Sequence, residues 1–94
     1  MSIAVMTIDF YLGGCRSLKE KRQRMNGLRE RYGRAHNVAV AETGYQDLLQ
    51  RAQWTFVATS SSRDVVDRAL TDIERHLQGA VDAELVDVHR EWLA

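Results

Sequence analysis

The sequence predicts an α+β sandwich, a four-stranded antiparallel sheet with two helices on one face, in the order βαββαβ. Three observations predict it. The stretch from Ile3 to Leu12 alternates apolar and polar residues with a period of two. Two later stretches place apolar residues at helical spacing behind serines suited to capping. Three further β-rich segments fall between and after those helices, bounded by Gly, Asn and Ser.

In the first strand the even positions Ala4, Met6, Ile8, Phe10 and Leu12 are apolar, and the odd ones include Thr7, Asp9 and Tyr11. One face is therefore buried. Gly13-Gly14 breaks the strand. Ser17 with Glu20 fits a capping box for the first helix, whose stripe is Leu18, Met25, Leu28, Tyr32 and Ala35. Lys21 falls inside that stripe, so its ammonium must snorkel or meet a carboxylate, with Glu42 the partner in view. Gly27 weakens this helix by roughly 1 kcal/mol relative to alanine. Gly33 and Asn37 mark its end.

Val38 to Thr43 reads as the second strand, with Val38 and Val40 on one face. A polar loop follows from Gly44 to Ala52, then a third strand from Gln53 to Thr59. Ser60 to Ser62 supplies N-cap choices, and Ser61 with Asp64 fits a second capping box. Val66, Ala69, Leu70, Ile73 and Leu77 form the second helical stripe, which Gly79 ends. Ala83 to Trp92 is the last strand, with Val86, Val88 and Trp92 on one face. Each βαβ crossover is right-handed, so both helices share a face. The other sheet face is open or covered by a second subunit. Trp54 and Phe56 are left between two placements, the core or that open face.

Ninety-four residues make a single domain over 1–94, and a hydrophobic fraction of 45% separates the chain from disordered sequences. It has no long apolar run and no signal-peptide pattern at its start, and Cys15 is its only cysteine. These features predict a cytoplasmic protein without a membrane span or an intramolecular disulfide. The net charge is zero, yet residues 1–36 hold eight Lys/Arg against three Asp/Glu, and residues 37–94 hold five against ten. Such a division suits a polyanionic partner, or neutralisation of one half by the other.

Three blocks in order carry a resemblance over essentially the whole chain: SLKEKR at Ser17–Arg22, YQDLLQRA at Tyr45–Ala52 after AET at Ala41–Thr43, and DVHREWL at Asp87–Leu93. In these the chain resembles the YlxP-like family of small bacterial proteins, whose function is unknown. The resemblance implies a ferredoxin-like fold. It also implies an RNA or ribosome connection, because such genes often lie beside those for translation initiation and ribosome maturation factors. It brings no catalytic activity. Tyr45 stands where the family usually has histidine, Leu49 where many members have tryptophan, and Gly13-Gly14 where proline is frequent. A histidine chemistry is therefore not carried to the Tyr45 loop.

Arg16, Lys19, Lys21, Arg22, Arg24, Arg29, Arg31 and Arg34 surround the first helix. At about 100° per residue, Arg24 and Arg31 share one edge and Arg22 and Arg29 the other. A helix with cationic flanks can track phosphates, and the alternative is a solvated face. The Gly13-Gly14 turn lacks the P-loop pattern and reads as a plain β–α turn. Glu42, Gln46, Asp47, Gln50 and Arg51 make a dense polar set around the long loop, either a contact surface or an internally paired one.

Enzyme chemistry has little support. His36, His76 and His89 lie in separate elements, no metal-ligand spacing occurs, and no cofactor motif is present. His76 is placed at the second helix C-terminus, where a cation meets the dipole. The leading expectation is a nonenzymatic protein binding RNA or a ribosome-linked complex through the basic helix. One alternative is a homodimer that buries Tyr11 and Trp54 on the open sheet face. Another is an enzyme with a carboxylate site at Asp9, Glu42 and Asp47.

Overall fold

In a computed structural model describing residues 1–94, the first alternating segment becomes β1, Ser2–Tyr11. Helix α1 (Leu18–Tyr32), β2 (Val38–Gly44), β3 (Arg51–Ser60), α2 (Arg63–Ala80) and β4 (Glu84–Trp92) follow. The sheet order is β2-β3-β1-β4 with every neighbouring pair antiparallel, the ferredoxin-like arrangement. β1 and β3 occupy the centre, and their even positions carry the core. Ala4, Met6, Ile8, Phe10, Ala52, Phe56 and Ala58 are fully buried and Trp54 nearly so. Both helices lie on that face. Their buried stripes share one spacing: Lys21, Met25, Leu28 and Tyr32 in α1, and Val66, Leu70, Ile73 and Leu77 in α2.

Several boundaries and faces differ from the sequence reading, each for a local reason. β3 begins at Arg51, because Tyr11 pairs with Arg51 and Phe10 with Ala52, so the polar loop shrinks to residues 45–50. The cap of α2 is Ser62, whose hydroxyl accepts the Val65 N–H at 3.4 Å, and Ser61 lies outside the helix. Helix α2 runs to Ala80, so His76 sits before its last turn and meets the Tyr32 ring edge-on at 6.3 Å. In α1, Leu18 is exposed and the stripe begins at Lys21 instead. Ser17 accepts the Glu20 N–H at 3.1 Å, but the Glu20 carboxylate turns to Arg24 at 2.8 Å, leaving half a capping box.

Strand β4 departs from strict alternation. Asp9 pairs with Asp87 and Phe10 with Leu85, so Val86 is the extra residue of a bulge. The bulge carries Val86 out of the helix-facing row, where it is 48% exposed, and lets Leu85 join Val88 and Trp92 against the core. Arg90 stands in the same row, opposite Met6. Its guanidinium donates to Asp67 Oδ1 at 3.1 Å, Thr71 Oγ1 at 3.2 Å and Glu74 Oε1 at 3.4 Å, which ties β4 to one edge of α2.

Candidate nucleic-acid interface

The eight cations around α1 divide by what they touch. Lys21 is 5% exposed, and its ammonium donates to the Tyr45 carbonyl at 2.8 Å and the Leu48 carbonyl at 2.7 Å. Glu42 Oε2 lies 3.8 Å from the same nitrogen. The loop after β2 folds onto this ammonium. Tyr45 takes the left-handed conformation there (φ 60°), and its carbonyl also accepts the Leu48 N–H at 3.0 Å. Lys21 is thus a fastening between α1 and the loop, and its charge points inward.

Arg24 is also occupied within the chain. It donates to the Gly13 carbonyl at 2.9 Å and pairs with Glu20 at 2.8 Å and Asp82 at 3.5 Å. The Gly13-Gly14 turn therefore presents a carbonyl to an arginine, with Gly14 at φ 70° completing the bend. Cys15 beside it is buried, its thiol 3.5 Å from the Ser17 carbonyl. Among residues 1–94 only Lys21 and Arg24 of the eight form ion pairs. Arg16, Lys19, Arg22, Arg29, Arg31 and Arg34 are all exposed. Arg31 stacks over the Tyr32 ring at 5.8 Å, and burial raises the Tyr32 phenol above its ordinary pKa while the Arg31 charge opposes that rise.

The two edges of α1 are thereby unequal. On the Arg24–Arg31 edge Arg24 is held by Glu20, Asp82 and the Gly13 carbonyl, while Arg31, like Arg29 on the other edge, has only a ring contact. The Arg22–Arg29 edge borders a groove of about 270 Å³ between α1 and the β2–β3 side of the sheet. Arg22, Asn26 and Arg29 line it from the helix, and Glu42 and Trp54, paired across β2 and β3, line it from the sheet. The Arg29 guanidinium stands 5.7 Å from the centre of the Trp54 ring. Asn26 was not among the residues singled out from the sequence, and Trp54 was left there between the core and the open sheet face. Their signals were present: Asn26 lies between Arg22 and Arg29 at i+4 and i−3, and Trp54 has the parity of Ala52, Phe56 and Ala58.

Trp54 and Phe56 face the helices, which settles their placement in the core and removes Trp54 from the homodimer surface expected on the open sheet face. That face carries a polar chain instead. Gln53 Nε2 donates to Asp9 at 3.0 Å, Thr43 Oγ1 donates to Gln53 Oε1 at 3.1 Å, Thr43 and Thr55 hydroxyls meet at 2.7 Å, and Thr55 and Thr7 at 3.3 Å. The carboxylates of the enzyme alternative do not form one site. Asp9 lies on this open face, Glu42 lies on the helix face beside Lys21, and Asp47 is on the loop. In the polar loop set, Gln46, Asp47 and Gln50 are exposed, and Arg51 belongs to β3 with its guanidinium 4.7 Å from the Tyr45 ring centre. No helix is long and apolar enough to cross a membrane.

Residues 3–90 match the family model described as "Protein of unknown function (DUF503)". The chain is 33% identical over 76 residues to "Uncharacterized protein YlxP" of Bacillus subtilis (strain 168), a match spanning 81% of this chain and 83% of that protein. Among solved structures, the de novo designed protein Ferredog-Diesel is similar at a TM-score of 0.44 and 14% identity, over 96% of this chain and 84% of that one. The ferredoxin-like assignment rests on strand order and register rather than on that likeness.

Proposed function

The chain belongs to the DUF503 family, and we propose that it is a nonenzymatic cytoplasmic binding protein that holds structured RNA, free or in a ribosomal particle, along α1. One observation carries this reading: the Arg22–Arg29 edge is exposed and free of carboxylate partners. Arg16 and Lys19 extend the charge toward the helix start. Guanidinium groups in such a row contact phosphate oxygens and release counterions, so affinity must fall with salt. Lys21 and Arg24 hold the surface in place from within. The exposed Gln46, Asp47 and Gln50 lie on the loop that Lys21 fastens and are placed for polar contacts beside it.

The test is binding to total cellular RNA across a salt series, with Arg22→Glu/Arg29→Glu beside the native chain. Those two exposed arginines are the informative pair, because Arg24→Glu would also disturb the Gly13 turn. The native chain binds with a steep salt dependence, and the double variant keeps its fold but loses up to about 2 in the slope of log affinity against log salt. No binding by the native chain at low salt would remove the reading.

A second reading is favoured by the uncovered sheet face. Its polar chain from Asp9 to Thr7 is internally hydrogen-bonded, so a second copy could cover it without orphaning those groups. Val5 and Val57 lie on the same face, and Tyr11 at its end is 41% exposed. Dimerisation there leaves the α1 edge free, so the two readings are compatible.

A further inference from the structure

The groove beside α1 holds polar side chains that the rest of the chain leaves without hydrogen bonds. Arg22 and Arg29 have no ion-pair partner, and Asn26 makes no side-chain hydrogen bond. The Trp54 indole N–H is buried without an acceptor. Glu42 accepts no hydrogen bond, its carboxylate is 26% exposed, and Lys21 approaches it only to 3.8 Å while donating to two carbonyls. The groove volume of about 270 Å³ lies at the small end of ligand sites, below the roughly 300–1,000 Å³ of drug-sized pockets.

An occupant must therefore bring two things together: negative charge for the arginines and hydrogen-bond donors for Glu42. An acidic peptide supplies charge for the arginines, but its backbone N–H donors are spread along the chain rather than set side by side for one carboxylate. A basic peptide supplies only the second and is repelled by Arg22 and Arg29. A nucleotide supplies both. Among the standard bases, guanine alone presents two adjacent donors, N1–H and the N2 amino group, on its pairing edge. Adenine, cytosine and uracil set an acceptor beside each donor. An ionised carboxylate accepts only, so those three would turn a lone pair toward it.

We infer that this groove takes one guanine nucleotide, as an unpaired residue of RNA or as the free nucleotide, with N1–H and N2–H donating to Glu42 and the phosphate on Arg22 and Arg29. The Arg29 guanidinium over Trp54 gives the base a planar cationic neighbour. Single-stranded RNA recognition commonly combines a splayed base stacked on an arginine plane with hydrogen bonds to its pairing edge. The inference deepens the RNA reading and rests on it for the phosphate contacts.

The experiment titrates the full chain with hexauridylate, with the same hexamer carrying one central guanosine, with its inosine counterpart, and with 5′-GMP. The Trp54 indole N–H resonance reports on the groove. The guanosine hexamer binds about tenfold or more tighter than hexauridylate and moves that resonance. Glu42→Gln brings the ratio, taken against hexauridylate binding by the same variant, to within about threefold. Inosine, which lacks the N2 amino group, does the same in the native chain, so the result does not depend on the folding of a variant. Equal binding of the guanosine and uridine hexamers overturns this inference and leaves the basic edge standing. A preference that survives both Glu42→Gln and inosine also overturns it. Binding of 5′-GMP with the Trp54 shift, but of no RNA, supports the groove as a guanine nucleotide site and removes the RNA reading. Binding of none overturns both.

Discussion

Lys21 shows how one side chain can look like part of a functional surface and serve a structural end. Its position in the apolar stripe of α1 sends the stem through the core edge, and the ammonium emerges where the Tyr45–Leu48 turn offers two carbonyls. Lys21→Met keeps the stem and deletes the donors. The Leu48 carbonyl is then left without a partner, and the turn loses its anchor. The expected cost is about 2 kcal/mol, read as a fall of roughly 10 °C in the melting midpoint. If the chain binds RNA as proposed, its affinity at a temperature where the variant is folded changes little. A variant of unchanged stability and weakened RNA binding would place Lys21 among the phosphate contacts instead. Arg24 belongs to the same class, because its bond to the Gly13 carbonyl shapes the turn into α1.

At the scale of elements, the bulge in β4 decides which side chains serve the core. Strict alternation would turn Val86 to the core with Val88 and Trp92, whereas the bulge packs Leu85 against the core and exposes Val86. Leu85→Ala is expected to destabilise by about 1–2 kcal/mol, less than a fully buried leucine because Leu85 is half-buried. Val86→Ala stays within about 0.5 kcal/mol. Chemical denaturation of the two variants distinguishes the registers, since equal costs, or a larger one at Val86, would contradict the bulge. Arg90 reinforces this edge by reaching three residues spaced along α2. Clasped by two acids and a hydroxyl, it makes the acidic flank of α2 part of the fold rather than a free surface.

Across the whole molecule the segregated charge persists. Only the Lys21–Glu42 and Arg24–Asp82 pairs link the basic first 36 residues to the acidic remainder, and the other ion pairs lie within one half. A basic pole on the outer edge of α1 therefore remains without carboxylate partners. The uncovered sheet face poses the separate question of self-association. If a second copy covers that face, the native chain sediments as a dimer and Tyr11→Asp, a change at an exposed position, releases monomers. An unchanged mass for Tyr11→Asp relative to a dimeric native chain would move the interface elsewhere, and a monomeric native chain would remove the reading.

The sequence alone determined the element order, the cap of α1, the buried row of β1 and the concentration of cations around the first helix. Each of these is written in local spacing, where a period of two or of 3.6 maps directly onto a face. It also held the Lys21–Glu42 relation, because a lysine within an apolar stripe demands a partner. Only the tertiary structure decided that Trp54 and Phe56 turn to the helices, that Asp9 and Glu42 stand on opposite sides of the sheet, and that Arg24 meets carboxylates while Arg22 and Arg29 do not. The bulge at Val86 and the start of β3 at Arg51 were settled by pairing with β1. Strand register and ion-pair choice depend on residues far apart in the chain, and local periodicity carries no information about which distant carbonyl or carboxylate a side chain will meet.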